Sequence, residues 1–206
     1  KPTLDSTEAR TAAAMYESLI PYTPAAAING GGNEMTTAFV QGDASQMINA
    51  TGYYSILTDP KQSKIVGNFD AALPPRASDA SRTLLFGWLI GIGQNSKNKD
   101  TAWQFLEYAM GKANATKMIE LGAPPAARLS LVNDPATVSK LPYLPTLVEA
   151  AKIGTHLPYI PQMTQIIPVL SVELNKLGTK QQSADEFVTA ANAAVAKILQ
   201  EAGGCQ

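Results

Sequence analysis

The sequence predicts an α/β fold. Two observations carry that reading. Long stretches repeat apolar residues at helical spacing behind acid-containing capping boxes. Between them lie short apolar segments, such as Ile65 to Leu73 and Leu84 to Ile92, bounded by glycine or proline.

The elements follow in order. Asp5-Ser6-Thr7-Glu8 reads as a capping box with Asp5 at the N-cap. Ala9, Ala12, Ala13, Tyr16 and Ile20 then form a helical stripe that Pro21 stops. Asn29-Gly30-Gly31-Gly32 is a break. It precedes a short helix from Glu34 to Val40, with Gly42 just past its end. Ala44 to Asn49 is expected to be a short strand. Ile65 to Leu73 alternates, which predicts a second strand, ended by Pro74-Pro75. Leu84 to Ile92 is a glycine-spaced apolar run, expected to be a buried strand, although periodicity alone leaves a helix open. Asn98 can cap a helix whose stripe is Ala102, Phe105, Leu106, Ala109 and Met110, closed by Gly111.

Helices are expected from Ala115 to Leu121, from Pro135 to Ser139 and from Thr146 to Ile153, with breaks at Gly122, Pro124-Pro125, Pro142 and Pro145. His156 to Pro161 should be extended, because a residue before proline avoids the helical region. A helix then runs to Leu177, bent or restarted at Pro168 and closed by Gly178. Ser183-Ala184-Asp185-Glu186 is a second capping box. It opens a final helix with Phe187, Ala190, Ala191, Ala194, Ile198 and Leu199 on one stripe, ended by Gly203-Gly204.

Composition narrows the function. The chain has 206 residues, 16 basic and 17 acidic groups, and a net charge of −1. Without a basic cluster it lacks the positive stripe that displaces counterions from nucleic acid. Its longest apolar run is about half of what crosses a bilayer. One cysteine, Cys205, and one histidine, His156, exclude an internal disulfide and a cysteine-based metal site, and no cofactor or metal is expected. Lys1-Pro2-Thr3 is neither a secretory signal nor an initiating methionine, so the start reads as processed or truncated and carries no information on compartment.

Four strings carry a family resemblance. They are Ala38-Phe39-Val40-Gln41-Gly42-Asp43-Ala44-Ser45-Gln46-Met47; Gly52-Tyr53-Tyr54; Phe86-Gly87-Trp88-Leu89-Ile90-Gly91-Ile92 with Ser96-Lys97-Asn98-Lys99-Asp100-Thr101-Ala102-Trp103-Gln104-Phe105-Leu106; and Pro161-Gln162-Met163 before a long helix and the capped carboxyl-terminal helix. In this order they resemble the second half of extracellular solute-binding proteins of ABC importers, in the carbohydrate-binding branch that includes maltose-binding proteins. The resemblance covers nearly the whole chain. It implies a periplasmic binding protein type II-like fold, mainly the carboxyl-terminal lobe. Residues 1–83 would belong to that lobe, 84–124 would cross to the amino-terminal lobe, and 125–206 would return as hinge and lobe helices. If most of the amino-terminal lobe is missing, the stripe around Phe105 should be exposed or should find another partner.

The implied function is capture of a sugar or polyol for a membrane permease, in the periplasm or anchored outside the cell. Contact with the membrane would come only through the permease or a lipid anchor. Sugars offer apolar C–H faces and hydroxyls, so aromatics and forked polar donors suit them. The ligand-binding candidates are Tyr53, Tyr54, Gly87, Trp88 and Arg128. For the tyrosines the competing reading is one ring in the core and one on the surface. Trp88 could equally be packed between lobes. Gly87 would allow close backbone approach. Pro125-Ala126-Ala127-Arg128 carries one residue more than the relatives' "P-x-R" string, and a salt-bridged arginine is the alternative there. Ile167 stands where maltose-type proteins carry an aromatic, which favours a smaller ligand, and Tyr159 could substitute. Trp103 reads as packing. Asp79, Asp100, Asp134 and Asp185 read as turn or cap residues. No paired carboxylates stand out for glycoside hydrolysis, so no enzyme activity is expected. A stand-alone interaction domain, or less so a carbohydrate-active enzyme, are the alternatives.

Overall fold

The computed structural model describes residues 2–75, 82–123 and 128–203. Pro124-Pro125, Asp79, Gly204 and Cys205 lie outside the described residues. The chain divides into two compact units, one of residues 1–47 with 158–206 and one of residues 48–157. This division follows contacts, and its cuts differ from the lobe boundaries drawn from the resemblance.

The first unit holds α1 (Thr7–Leu19), α2 (Ala25–Ile28) and α3 (Gly32–Gln41). Two long carboxyl-terminal helices complete it. Helix α1 begins one residue later than expected: Ser6, not Asp5, is the N-cap, and its Oγ accepts from the Ala9 amide at 3.2 Å. Either side chain can fill that role. Before α3, the Glu34 carboxylate accepts from the Gly31 amide at 2.7 Å. A Cβ on Gly30 would run into that of Glu34, so the chain passes too close for any side chain there. Gly42 ends α3 at φ +84°, the left-handed cap that glycine adopts without strain.

In the second unit, α4 (Tyr54–Thr58) follows a 3-10 turn at Thr51–Tyr53. Then come β1 (Thr83–Leu84), α5 (Lys99–Met110), α6 (Lys112–Glu120), α7 (Leu129–Val132), α8 (Pro135–Lys140), α9 (Leu144–Lys152) and β2 (Gly154–Thr155). The core joins Ala115 and Ile119 of α6 to Leu131, Leu141, Tyr143 and Leu144, with Tyr54, Val132, Val138 and Leu147 packed around them. Asp134 caps α8, accepting from the Thr137 amide at 2.9 Å and its hydroxyl at 3.0 Å.

The first unit ends with α10 (Met163–Gly178) and α11 (Ala184–Glu201). Helix α11 packs on both α1 and α10, around Ala13, Leu177, Ala184 and Val188. The Ser183 box forms as expected: Ser183 Oγ accepts from the Glu186 amide at 3.3 Å, and the Glu186 carboxylate accepts from the Ser183 amide at 2.7 Å. Pro168 lies inside α10 and Gly178 is its last residue. Two further bonds tie this unit, Leu4 N–H to Asn192 Oδ1 at 3.2 Å and Asn175 Nδ2 to Asn29 Oδ1 at 3.0 Å.

The expected strands are largely corrected. Among the described residues, strand is confined to β1 and β2, which pair in parallel with Thr83 opposite Gly154 and Leu84 opposite Thr155. A ladder lasts only while a partner runs beside it, and after Leu85, whose amide bonds Thr155 O at 2.9 Å, this one ends. The rest of Leu84 to Ile92 is irregular, and it is not buried: Trp88 and Leu89 are 93% and 98% exposed. Ile65 to Leu73 is no strand either. Gly67 takes φ +77°, and the Asn68 amide closes a turn onto Ile65 O at 2.8 Å. Ala44 to Asn49 is also irregular. At β2, a Cβ on Gly154 would lie 2.9 Å from Leu85 Cβ, which makes the glycine necessary to the pairing.

Candidate functional site

All five candidate residues fall in the second unit. Tyr53 closes the 3-10 turn and Tyr54 opens α4, so both sit on a helical turn, and the strand expected just before them, from Ala44 to Asn49, does not form. Both are half-buried. The Tyr54 ring tilts onto that of Tyr143, centroids 4.2 Å apart at 40°, and meets Phe69 edge-on at 5.8 Å. Such offset and edge contacts suit the ring quadrupoles. Burial, and then the nearby Asp70 carboxylate, push the Tyr54 phenol above its ordinary pKa. Burial raises Tyr143 further, to about 12, with Tyr54 adding to the effect. The Tyr143 hydroxyl is buried without a hydrogen-bond partner among the described residues.

Trp88 stands in the irregular, exposed stretch after β1 and joins neither ring pair. Gly87 beside it has open space where a Cβ would be, and its backbone does not demand a glycine. Arg128 is exposed at the start of α7 and donates from a guanidinium nitrogen to Met110 O at 3.0 Å. It therefore holds the last carbonyl of α5, a favourable place for a cation at a helix carboxyl end.

The exposed apolar surface is extensive in this unit. Helix α5 buries none of its residues, and Phe105 is 65% exposed, as are Trp103 and Tyr108 to similar degrees. An open hollow of about 520 Å³ is lined by Leu73, Val132, Val138, Thr146 and Glu149 among others. None of the five candidates lines it. Nor do they line the apolar hollow of about 270 Å³ in the other unit, between Leu4, Leu170, Leu174 and Phe187.

Against known families, the model of the bacterial extracellular solute-binding proteins matches residues 1–116, more than half of the chain. The chain belongs to the bacterial extracellular solute-binding protein family. The matched stretch contains Tyr53, Tyr54, Gly87 and Trp88; Arg128 lies beyond it. Among curated relatives of this chain, the mannitol-binding protein of Pseudomonas aeruginosa is 28% identical over 226 residues, covering 98% of this chain and 51% of that protein. A probable amino-acid ABC transporter periplasmic-binding protein of Sinorhizobium fredii is 25% identical over 75% of this chain and 36% of its own length. In three dimensions the chain matches an ABC transporter solute-binding protein of Agrobacterium radiobacter K84, solved with ribitol, at a TM-score of 0.86. Identity is 24%, and the match covers 96% of this chain and 51% of that one. The α/β fold class is thus that of about half of a periplasmic binding protein. The chain spans about half the length or less of the curated relatives it matches.

The sequence reading missed Tyr143 and Phe69. Tyr143 lies between Pro142 and Pro145, a spacing that signals only a break, and Phe69 falls in the run whose alternation predicts a strand. No local pattern announces that two residues 89 positions apart (Tyr54 and Tyr143) will stack.

Proposed function

We propose that this chain is part of the substrate-binding component of an ABC importer, taking a sugar or polyol between two lobes and presenting it to the membrane permease, outside the cytoplasm. The mannitol-binding relative, matched along 98% of this chain, carries that reading. The protein performs no chemistry on its ligand. Hinge closure around the bound solute shifts the population toward the form the permease recognises. Residues 84–124 cross to the amino-terminal lobe in the complete protein. The uncovered faces of Trp88, Leu89 and α5 support that assignment, since apolar patches of this extent usually serve contact.

Tyr53, Tyr54 and Trp88 pack against the C–H faces of the ligand, Gly87 admits its close approach, and Arg128 donates to its hydroxyls. Titration calorimetry of the full-length protein with mannitol, ribitol, maltose and a panel of amino acids tests the ligand class. Micromolar or tighter binding of a polyol or sugar is expected. Tight binding of an amino acid, with none of the polyols or sugars, would overturn it in favour of the class named for the Sinorhizobium relative.

A further inference from the structure

Helix α4 is five residues long and has no side-chain cap at its start. Its backbone alone leaves the Tyr54 side chain a choice of staggered rotamers. What selects among them is packing. Tyr143 is 5% exposed and locked into the core of Ala115, Ile119, Leu131, Leu141 and Leu144. Its ring meets Tyr54 at 4.2 Å, while Phe69 closes on Tyr54 edge-on. The Tyr143 hydroxyl takes no part in this, since it bonds nothing among the described residues. A buried hydroxyl without a partner is a cost that phenylalanine would remove. The feature that the fold uses here is the ring.

We infer that Tyr143 is a positioning residue: its buried ring braces Tyr54 in the one rotamer that serves the ligand platform. The inference rests on the reading of Tyr54 as a ligand contact. If the brace is removed and three staggered wells become equally populated, the competent fraction falls to about one third, and the dissociation constant rises about threefold. A ring that turns fully away weakens binding more.

The test uses the full-length protein with mannitol as probe and four variants: Tyr54→Ala, Tyr143→Phe, Tyr143→Leu and Leu177→Ala. The last opens a cavity in the core of Ala13, Ala184 and Val188, to which neither ring belongs. Calorimetry is run well below each variant's melting temperature, beside NMR of the Tyr54 Hα–Hβ couplings, which report its χ1 rotamer and do not sense the loss of a neighbouring ring current. The expected result is that Tyr143→Leu averages the Tyr54 couplings over rotamers and weakens mannitol at least threefold. Tyr143→Phe keeps the single rotamer and an affinity within twofold of the parent, and Leu177→Ala does the same. Single-rotamer Tyr54 couplings in Tyr143→Leu would overturn the bracing, whatever the affinity. So would equal losses in Tyr143→Leu and Leu177→Ala, or a Tyr143→Phe variant as weak as Tyr143→Leu. A parent that binds no mannitol is assayed with the polyol or sugar of the panel that it does bind. If it binds none of them, or if Tyr54→Ala binds as tightly as the parent, the ligand role of Tyr54 fails, and the couplings judge the brace separately.

Discussion

Leu177 is fully buried where α10 meets the core of the first unit, beside Ala13, Ala184 and Val188. Replacing it by alanine removes roughly three methylene equivalents, worth ~2.4 kcal/mol in transfer from water. The cavity left behind brings the total to about 3–4 kcal/mol, because a packed neighbourhood relaxes only in part. The same loss reads differently in melting temperature according to what unfolds with it. Unfolding entropy is ~2.1 cal/mol/K per residue. If the first unit, roughly 100 residues, melts alone, the midpoint falls by about 17 °C. If all 206 residues melt together, the fall is about 8 °C. Differential scanning calorimetry of L177A, beside a V172A control, separates these cases. Val172 lies on the same helix but is exposed, and its truncation should cost under ~1 kcal/mol. A cost for L177A no greater than that for V172A would refute the packing described for α10, α1 and α11.

Three further outcomes are expected. Lys180 holds φ +60° just past α10, so K180G should gain about 0.5–1 kcal/mol in urea unfolding; a loss would mean that the left-handed turn is not populated. Asp134, Asp59, Glu186 and Glu8 are all held below the ordinary carboxylate pKa, mainly by backbone and side-chain hydrogen bonds at caps and turns. Their contribution is therefore complete above about pH 4.3 and is lost as pH falls through the lowered values. Tyr143 works in the opposite sense. Its neutral form is favoured by the fold, so stability should drain away between about pH 10, the ordinary phenol value, and about 12. A thermal-midpoint profile flat at both extremes would contradict these assignments. Trp88 and Trp103 are the two tryptophans and both are exposed, so emission of this chain should be water-like and strongly quenched by iodide. Blue-shifted, protected emission would place them in a core.

Tyr54 marks where sequence reasoning reaches its limit. Gly52-Tyr53-Tyr54 pointed to a pair of rings worth watching, but the expected strand before them is irregular chain leading into a helical turn. One of those rings is held by Tyr143, which no motif singled out. Trp88 and Leu89 lie in an apolar run that composition assigns to a core, yet they face outward, because the ladder begun at β1 has only two residues of partner.

By itself the sequence determined the longer helices, the Ser183 cap and the family. The Ser183-Glu186 box and Gly42 act across three or four residues, so their physics is complete within a short stretch, whereas Pro145, expected as a break, sits in the first turn of α9. Only the tertiary structure decided where strand pairing stops, that α5 is left uncovered, and that Tyr143 carries Tyr54. Each of those depends on what a distant segment places alongside, and pairing or burial has no meaning until that neighbour is in position.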